Sequence, residues 1–431
     1  MKFVLASYGT RGDVEPCAAI GQELQRRGHD VHMAVAPDLV DFVKSVGLSV
    51  EACGPDARTW QDLHRDFLTH LFRNPWKIKD LVRLGREDWK LLNQCLDETR
   101  TTLTSLADGA DVILTLVIGE QPAASVADYY DIPLATLHTY PIRPNGQALR
   151  FLPAPLMRSF LTTIEWLDWL VAKRVEDAQR RELGLAKTTR PLPHRIRKRK
   201  SLEIQAYDAA CFPGLAAEWA KWDGQRPFVG ALTMTLPTDA DAEVASWIAD
   251  GTPPIFFGFG STLVKSPAET ILMIGAACAQ LGERALICAA ETDFSDVPPL
   301  DHVKVVGTMN YAAVFPSCRA VVHHGGAGTT AAGLRAGVPQ LVVSTWLDQA
   351  LWGVQVKRLK VGTARRFSTT KEALVEDLRT ILEPQYVARA REIATRMNTP
   401  AESIAAAADR LEEFARQKRS SLIGDGRPSR Q

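Results

Sequence analysis

The stretch His323-His324-Gly325-Gly326-Ala327-Gly328-Thr329-Thr330 determines how we interpret this chain. It follows a short apolar run at 319–322, which predicts a strand, and precedes a helix-forming run at 331–336. A strand, a glycine-rich turn and a helix start form an anion-binding site, because glycines let the backbone approach a ligand closely and the first helical N–H groups point at it. The two histidines add donors for a phosphate oxygen or a sugar hydroxyl. The alternative is a tight turn whose glycines serve packing only.

Two other loops of the same half follow predicted strands. Asp348 and Gln349 come shortly after the apolar run 340–343, and an acid beside an amide suits a ring of sugar hydroxyls. Upstream, the segment 254–262 is an apolar strand that runs into Gly260, Ser261 and Thr262. Because ligands of open α/β sheets bind outside the carboxyl ends of the strands, we expect these three loops to converge on one ligand.

Length, charge and cysteine usage narrow the function classes. A chain of 431 residues predicts two domains, and its 46% hydrophobic and 23% charged residues are typical of a soluble globular protein. The net charge of +1 gives no bulk attraction to nucleic acid. Seven scattered cysteines without a CxxC pair argue against a zinc site and favour a reducing cytoplasm. The first residues are too short for a signal peptide, and no run reaches the ~20 apolar residues of a membrane helix.

The amino-terminal half begins with a strand–helix–strand unit of a parallel sheet. Residues 3–6 predict the first strand, 7–13 a loop, 14–27 a helix and 31–35 the second strand. The loop lacks GxGxxG spacing, which weakens a dehydrogenase interpretation. Its last residue is Asp13. From the local sequence alone, Asp13 is a good helix N-cap, and a carboxylate at a helix start can also serve as a general base.

Taken together, these motifs resemble those of a known enzyme family. Four pieces carry the resemblance in this order: 8–16, 259–261, 323–330 and the Asp348-Gln349 pair. The chain is similar to family 1 glycosyltransferases of the two-domain GT-B type, near the bacterial enzymes that glycosylate antibiotics and lipids and the sterol glucosyltransferases. The similarity extends from Met1 to about Ala415. It implies an α/β fold with two Rossmann-like, doubly wound parallel-sheet domains that face each other across a cleft.

The resemblance also implies a division of the chain. Residues 1–230 would form an acceptor-binding domain, 231–241 a linker and 242–400 a nucleotide-sugar-binding domain. A helix over 401–416 would cross back to the first domain, and 417–431 would be a polar tail.

Binding residues for the donor follow from the same resemblance. The diphosphate would be held by Ser261, Thr262, His323, Gly325, Gly326, Ala327, Gly328 and Thr329. The nucleotide base would meet the loop of Met309, Asn310 and Tyr311, although Tyr311 as a core residue is an equal interpretation. Asp348 and Gln349 would position the sugar.

The acceptor side is implied less directly. Asp13 matches the proposed base of the bacterial antibiotic glycosyltransferases, which favours the catalytic interpretation over the N-cap. Gly12 beside it, His138 at a strand end and Trp76 in an aromatic, helix-rich segment would contact the acceptor. For His138 an ordinary structural role is equally consistent, and the aromatic segment can also serve helix packing.

The expected activity is therefore a hexosyltransferase of EC 2.4.1 type. It would move a sugar from a UDP- or dTDP-sugar, used as co-substrate without any cofactor, to a hydroxyl of a hydrophobic acceptor, with inversion and without a metal. A bacterial glycolipid of the glycopeptidolipid or phenolic glycolipid type is the first expectation, and a polyketide or peptide natural product is the second. A nucleotide-sugar epimerase and a non-catalytic nucleotide-sugar-binding protein are the alternatives from other classes.

A basic segment between Arg190 and Lys200 allows two interpretations. It follows a predicted helix that contains Trp166 and Trp169, and it is either a solvated loop or a contact for anionic lipid headgroups. Nucleic acid fits poorly, because no aromatic stacking platform is interleaved with the charges. The sequence therefore predicts a cytoplasmic protein and leaves open peripheral contact with the inner face of the membrane.

Overall fold

The computed structural model describes residues 1–73, 76–148, 152–260, 266–290, 299–366 and 370–424. The chain divides into two compact units. The first consists of Met1–Ala206, Gly214–Leu232 and Ala401–Gln431, and the second of Tyr207–Pro213 and Thr233–Pro400. Among the described residues, no helix combines the length and the low polarity needed to cross a bilayer.

The first unit contains a parallel sheet of six strands. The strands are β1 (Lys2–Ser7), β2 (Asp30–Val35), β3 (Ser49–Ala52), β4 (Val112–Leu116), β5 (Leu134–His138) and β6 (Leu202–Gln205). Their order is β3-β2-β1-β4-β5-β6, so the direction in which strands are added reverses between β1 and β4. Both faces of β1 are buried, since helices cover each side of a parallel sheet, and this explains its unbroken apolar run.

Helices of the first unit cover this sheet. They are α1 (Arg11–Arg26), α2 (Val40–Ser45), α3 (Ala57–Arg73), α4 (Ile78–Leu106), α5 (Glu120–Tyr130), α6 (Ala154–Glu182), α7 (Leu192–Lys198) and α8 (Pro213–Trp219). One core cluster joins Val4 of β1 and Ile113 of β4 to Leu103 of α4 and Val126 of α5.

The second unit repeats the same topology. Its strands are β7 (Ile255–Gly258), β8 (Ala285–Cys288), β9 (Val303–Val306), β10 (Ala320–His323), β11 (Gln340–Ser344) and β12 (Gly362–Arg366). Their order is β9-β8-β7-β10-β11-β12, which makes β7 the counterpart of β1 and β10 the counterpart of β4. Phe256 and Phe257 lie next to each other on β7 and belong to different core clusters, because successive side chains of a strand point to opposite faces.

Helices complete the second unit and return the chain to the first. They are α9 (Asp241–Ala249), α10 (Pro267–Leu281), α11 (Tyr311–Val314), α12 (Ala327–Ala336), α13 (Leu347–Leu359), α14 (Lys371–Ile381), α15 (Pro384–Ala394) and α16 (Pro400–Gly424). Helix α16 contacts the first unit through an ion pair of Arg27 with Asp409 (2.6 Å) and a hydrogen bond between His29 and Glu412 (2.8 Å). It runs to Gly424, well into the segment predicted to be a polar tail.

Two details differ from the sequence predictions. Helix α1 begins at Arg11 rather than at residue 14, because Thr10 is its N-cap and Asp13 lies inside its first turn. The segment Tyr207–Pro213, predicted within the first domain, groups with the second unit. The reason is local: Asn398 donates its backbone N–H to the Asp208 carboxylate (2.7 Å), and the Phe212 ring packs edge-on against Trp352 (5.2 Å).

Candidate functional site

The glycine loop, defined as residues 323–330, leads from the end of β10 into α12. Gly326 is the N-cap of α12, and no side chain of the described residues caps this helix. The first-turn N–H groups of a helix have no partner within the helix, and the helix dipole places partial positive charge there. The first turn of α12 could therefore hold an anion, and the diphosphate contacts of this loop stay a prediction.

His323 is fully engaged inside the protein, which corrects its predicted contact with a diphosphate. Its Nδ1 accepts a hydrogen bond from the backbone N–H of Gly325 (3.1 Å), so the ring proton lies on Nε2 and is donated to the Gln340 side-chain oxygen (2.8 Å). Burial lowers the pKa of His323 to about 3, and the neighbouring His324 adds to this shift. A neutral ring with both nitrogens occupied positions the loop and has no group left for a ligand.

His324, which the sequence analysis named as a possible donor but did not include in the diphosphate set, lies beside His323. Its Nδ1 is buried and has no hydrogen-bond partner among the described residues. A Cβ atom at Gly260 or Gly326 would lie 2.5 Å from the His324 ring, so these two glycines make room for the imidazole. Burial lowers the pKa of His324 to about 4, although the ring is hydrogen bonded to the backbone of Gly258. Because the ring lies against the N-cap of α12, the imidazole and the first-turn N–H groups could both contact one ligand.

The loops after β7, β10 and β11 meet, as the sequence predicts. Gly260 of the first loop contacts His324 of the second, as described above. Gly325 has a φ of 94°, and a Cβ there would lie 2.8 Å from the backbone oxygen of Gln349 in the third. Only glycine allows both this backbone conformation and this close approach. Ser261 and Thr262 lie outside the described residues.

Asp348 and Gln349 lie in the first turn of α13. The side-chain oxygen of Gln349 accepts hydrogen bonds from the backbone N–H groups of Thr345 (2.9 Å) and Trp346 (3.1 Å), so this amide fixes the start of the helix. Burial raises the pKa of Asp348, and two backbone N–H groups oppose the shift. The structure therefore gives Gln349 a local structural role and leaves the predicted sugar contacts of the pair as a prediction.

The side chains of the predicted base-binding loop make contacts within the protein. Met309 is buried, and Asn310 caps α11 by accepting from the N–H of Ala312 (3.1 Å). The Tyr311 ring stacks on Phe315, with centroids 4.9 Å apart and planes at 12°. Tyr311 thus packs as a core residue, which was one of its two sequence interpretations. The main chain of Asn310 is also engaged, because its N–H donates to the Asp241 carboxylate (2.9 Å) and its carbonyl accepts from Ala313 and Val314.

Asp13 lies half-buried in the loop that follows β1. Its Oδ2 accepts from the Thr10 backbone N–H (2.7 Å) and from the Thr10 hydroxyl (3.1 Å), which completes a capping box at the start of α1. Gly9 has a φ of 141°, and a Cβ there would overlap the same oxygen. The carboxylate is therefore held in one position by its own loop, and Gly9 is required to leave space for it.

The three predicted acceptor contacts lie in different environments. Gly12 is exposed next to Asp13, and the Trp76 side chain is 71% exposed. His138, in contrast, is fully buried, and its Nε2 lies 2.8 Å from the Glu120 carboxylate. Arg143 joins this network by donating to Glu120 (2.8 Å) and Glu203 (2.5 Å). The prediction that His138 contacts an acceptor is therefore corrected: burial, followed by Arg143, lowers the pKa of His138, and the ring belongs to an internal ion network.

Part of the basic segment is neutralised within the first unit. Arg195 pairs with Glu176 and Arg199 with Asp128. Both arginines line a cavity of about 270 Å³ that also includes Phe414 of α16. Neither Asp13 nor any residue of its loop lines this cavity, so we do not assign it to the candidate site. The described residues contain no group of three His, Cys, Asp or Glu side chains that could hold a metal ion.

Two family models match the chain. Residues 3–96 match the glycosyltransferase family 28 N-terminal domain, and residues 276–413 match the C-terminal domain of erythromycin biosynthesis protein CIII-like proteins. An uncharacterized glycosyltransferase of Mycobacterium tuberculosis is 58% identical over 97% of this chain and 100% of its own length. A sterol 3-beta-glucosyltransferase of Arabidopsis thaliana is 27% identical over 95% of this chain and 67% of its own length.

Solved structures share the fold. The glycotransferase of kitacinnamycin superposes with a TM-score of 0.71 at 17% identity, covering 96% of this chain and 99% of the other. The glycosyltransferase VinC, solved in complex with dTDP, superposes with a TM-score of 0.64 at 18% identity, covering 97% and 100%. At such low identity the likeness is one of architecture, with the same pair of parallel sheets.

Proposed function

This chain belongs to the family 1 glycosyltransferases and has their GT-B fold, and from that premise we propose that it transfers a sugar from a UDP- or dTDP-sugar to a hydroxyl of a hydrophobic acceptor, with inversion. The observation that supports the donor half most directly is His324. Its ring lies against Gly326, the N-cap of α12, and its buried Nδ1 has no hydrogen-bond partner among the described residues. A diphosphate supplies negative charge and acceptor oxygens for the first N–H groups of α12 and, once Nδ1 is protonated, for the His324 ring.

The diphosphate would lie against the first turn of α12, with backbone N–H groups of Gly326, Ala327, Gly328 and Thr329 directed at it. His324 is neutral before the donor binds, because burial holds its pKa low. A bound anion favours the charged imidazolium, so donor binding would proceed with proton uptake on this ring. Asp348 would accept from a sugar hydroxyl, and its raised pKa reflects a carboxyl that has lost solvent.

The chemistry would use Asp13 as general base. Its carboxylate removes the proton of the acceptor hydroxyl, whose oxygen attacks the anomeric carbon while the bond from that carbon to the diphosphate oxygen breaks. The bonding electrons leave with the nucleotide diphosphate, and attack from the opposite face inverts the anomeric centre. The fixed position of the Asp13 Oδ2 in its capping box supports this role, because a base must be held in place to act. The helix dipole and charged His324 would stabilise the leaving group without a metal.

For the acceptor we propose a membrane-associated bacterial lipid of the glycopeptidolipid or phenolic glycolipid type. Two observations support an apolar alcohol: the similarity to a sterol glucosyltransferase and the exposed Trp76 beside the helices of the first unit. A polyketide or peptide natural product would be distinguished by acceptor screening.

Donor binding and sugar transfer can be tested one after the other. UDP- and dTDP-sugars are screened by thermal shift, where a donor at 100 times its dissociation constant stabilises by about 2.7 kcal/mol. The stabilising donor is then incubated with lipid extracts, and glycosylated product is detected by mass spectrometry. His324→Ala should weaken donor binding at least about tenfold, since hydrogen bonds to charged groups contribute ~1.5–3 kcal/mol. An unchanged affinity would refute the donor site.

Two outcomes would redirect the assignment. Epimerised sugar after incubation with donor alone would identify an epimerase. Tight donor binding without transfer to any acceptor would instead indicate a nucleotide-sugar-binding protein.

A further inference from the structure

The outer face of α6 carries a row of exposed apolar side chains. We define this outer face by Leu156, Phe160, Ile164, Leu167, Leu170 and Val171, which are between 45% and 68% exposed. Their spacing of three and four residues places them on one side of the helix. The row extends over sixteen residues, or roughly 24 Å at 1.5 Å per residue. Such a continuous apolar surface differs from scattered exposed hydrophobics and indicates a binding face.

The opposite side of α6 fixes the helix to the first unit. Trp169 is buried there, and Glu176 pairs with Arg195 of α7. Lys173 donates to the Asp177 carboxylate (2.7 Å), which also accepts from the backbone N–H of Thr188 (2.8 Å). The helix therefore presents its outer face from a rigid base, and it cannot simply rotate to bury its apolar row.

Two exposed arginines lie at one end of the outer face. Arg174 and Arg181 continue the row at its carboxyl-terminal end, and both are exposed. The exposed acidic residues of α6 are Asp168, at the border of the row, and Glu182, whose carboxylate pairs with Arg100 (2.6 Å). The ion pair between α6 and α7 brings in a second basic element, which ends with exposed Arg197 and Lys198.

We propose that the outer face of α6 inserts into the surface of an anionic lipid bilayer, with the helix lying in the plane of the interface. An apolar row flanked by arginines fits acyl chains bordered by anionic headgroups. A second copy of this face would offer no matching row of carboxylates to Arg174 and Arg181. The inference deepens the proposed function, because it would bring the enzyme to a membrane-bound acceptor, but it does not depend on donor chemistry.

Vesicle sedimentation tests the proposal on the full chain without donor or acceptor. We expect the wild type to sediment with vesicles of phosphatidylcholine containing about 30% phosphatidylglycerol and to bind pure phosphatidylcholine vesicles at least about tenfold more weakly. Phe160→Ser combined with Leu167→Ser should reduce binding to the anionic vesicles about tenfold or more. Arg174→Gln combined with Arg181→Gln should remove most of the preference for anionic lipid and its sensitivity to salt.

The matched control is Leu272→Ser combined with Val354→Ser, two apolar residues of the second unit that are 50% and 44% exposed. This variant should bind vesicles like the wild type. All variants should keep the wild-type melting temperature and the same thermal shift with donor, which separates this test from the test of the proposed function.

The proposal is overturned if the wild type does not bind anionic vesicles, or if the control variant loses as much binding as the α6 variant. It is also overturned if the wild type is a dimer that the α6 variant converts to a monomer, because a second copy then covers this face.

Discussion

The loop after β1 and the loop after β10 occupy related positions in two sheets of identical strand order. They differ in whether a side chain caps the helix that follows. In the first unit, Thr10 and Asp13 cap the start of α1 with their own side chains. In the second, α12 starts at Gly326 without a side-chain cap among the described residues. Both loops border the point where the strand order reverses, which is where ligands bind in such sheets.

This difference separates two functions of a helix N-terminus. In the capping box of α1, the N–H and hydroxyl of the N-cap residue Thr10 hold the Asp13 carboxylate in place. Among the described residues no side chain caps α12, so its first N–H groups remain for an anion, and the adjacent His324 ring has a buried Nδ1 without a partner in that part of the chain. One loop is therefore suited to carry a fixed reactive group and the other to receive a charged ligand.

The largest expected effect is a loss of turnover without a loss of donor binding. Asp13→Asn should lower turnover on the order of 10²-fold or more, because an amide cannot accept the acceptor's proton, while the side-chain oxygen still accepts from the Thr10 N–H. The thermal shift with donor should stay at the wild-type value. The measurement is initial rate at saturating donor, with Glu15→Gln on the same helix as a control. If the Asp13→Asn variant turned over at the wild-type rate, Asp13 would not be the general base.

Two glycine substitutions sharpen the comparison. Gly9→Ala places a Cβ on the Asp13 carboxylate and should lower turnover about tenfold or more with donor affinity unchanged. Gly326→Ala places a Cβ on the His324 ring and should lower donor affinity by a similar factor. Gly224→Ala, whose Cβ would meet no atom within 4 Å, is the control. If both loop variants lost turnover and donor affinity equally, the two loops would not have separate roles.

The pH dependence of stability tests the buried state of His324. Its pKa is about 4 when folded and about 6.5 when unfolded, so between these values the unfolded chain binds more protons. The stability it contributes is complete above pH 6.5 and is lost as the pH falls towards 4, by at most about 1.4 kcal/mol per pH unit. His324→Asn should therefore flatten the decline in the free energy of unfolding between pH 6.5 and 4.5, measured by denaturant titration. Parallel wild-type and variant curves would contradict its burial as a neutral ring.

The smallest effect concerns the cap itself. Thr10→Ala removes the N-cap side chain of α1 and should lower the free energy of unfolding by ~1 kcal/mol. Thr329→Ala should lower the free energy of unfolding by less than Thr10→Ala, because the side chain of Thr329 caps no helix in the described structure. Denaturant titration distinguishes the two, and an equal loss in both variants would show that the capping box adds nothing.

Sequence patterns predicted the two parallel-sheet domains well, because buried parallel strands are unbroken apolar runs such as that of β1. They missed β3 and β12, which lie at the sheet edges. β3 is largely exposed and β12 contains two arginines, so neither forms an apolar run.

At the site, the limit of prediction was a single residue position. His323 and His324 are adjacent, and consecutive residues at a strand end point to opposite sides. Two facts decide which of them could face a ligand: β10 ends at His323, and the Gln340 side chain accepts a hydrogen bond from His323. Neither fact can be derived from one sequence. The start of α1 was misplaced for a similar reason: Thr10 and Asp13 have capping-box spacing, but Asp13 alone also looks like an N-cap.

The return of α16 to the first unit has a practical consequence for engineering. Because Ala401–Gln431 groups with Met1–Ala206, a truncated chain that ends after residue 240 lacks a helix that its own unit contacts through Asp409 and Glu412. Chimaeras that exchange the second unit between relatives should therefore replace Tyr207–Pro213 together with residues 233–400 and keep both termini from one parent.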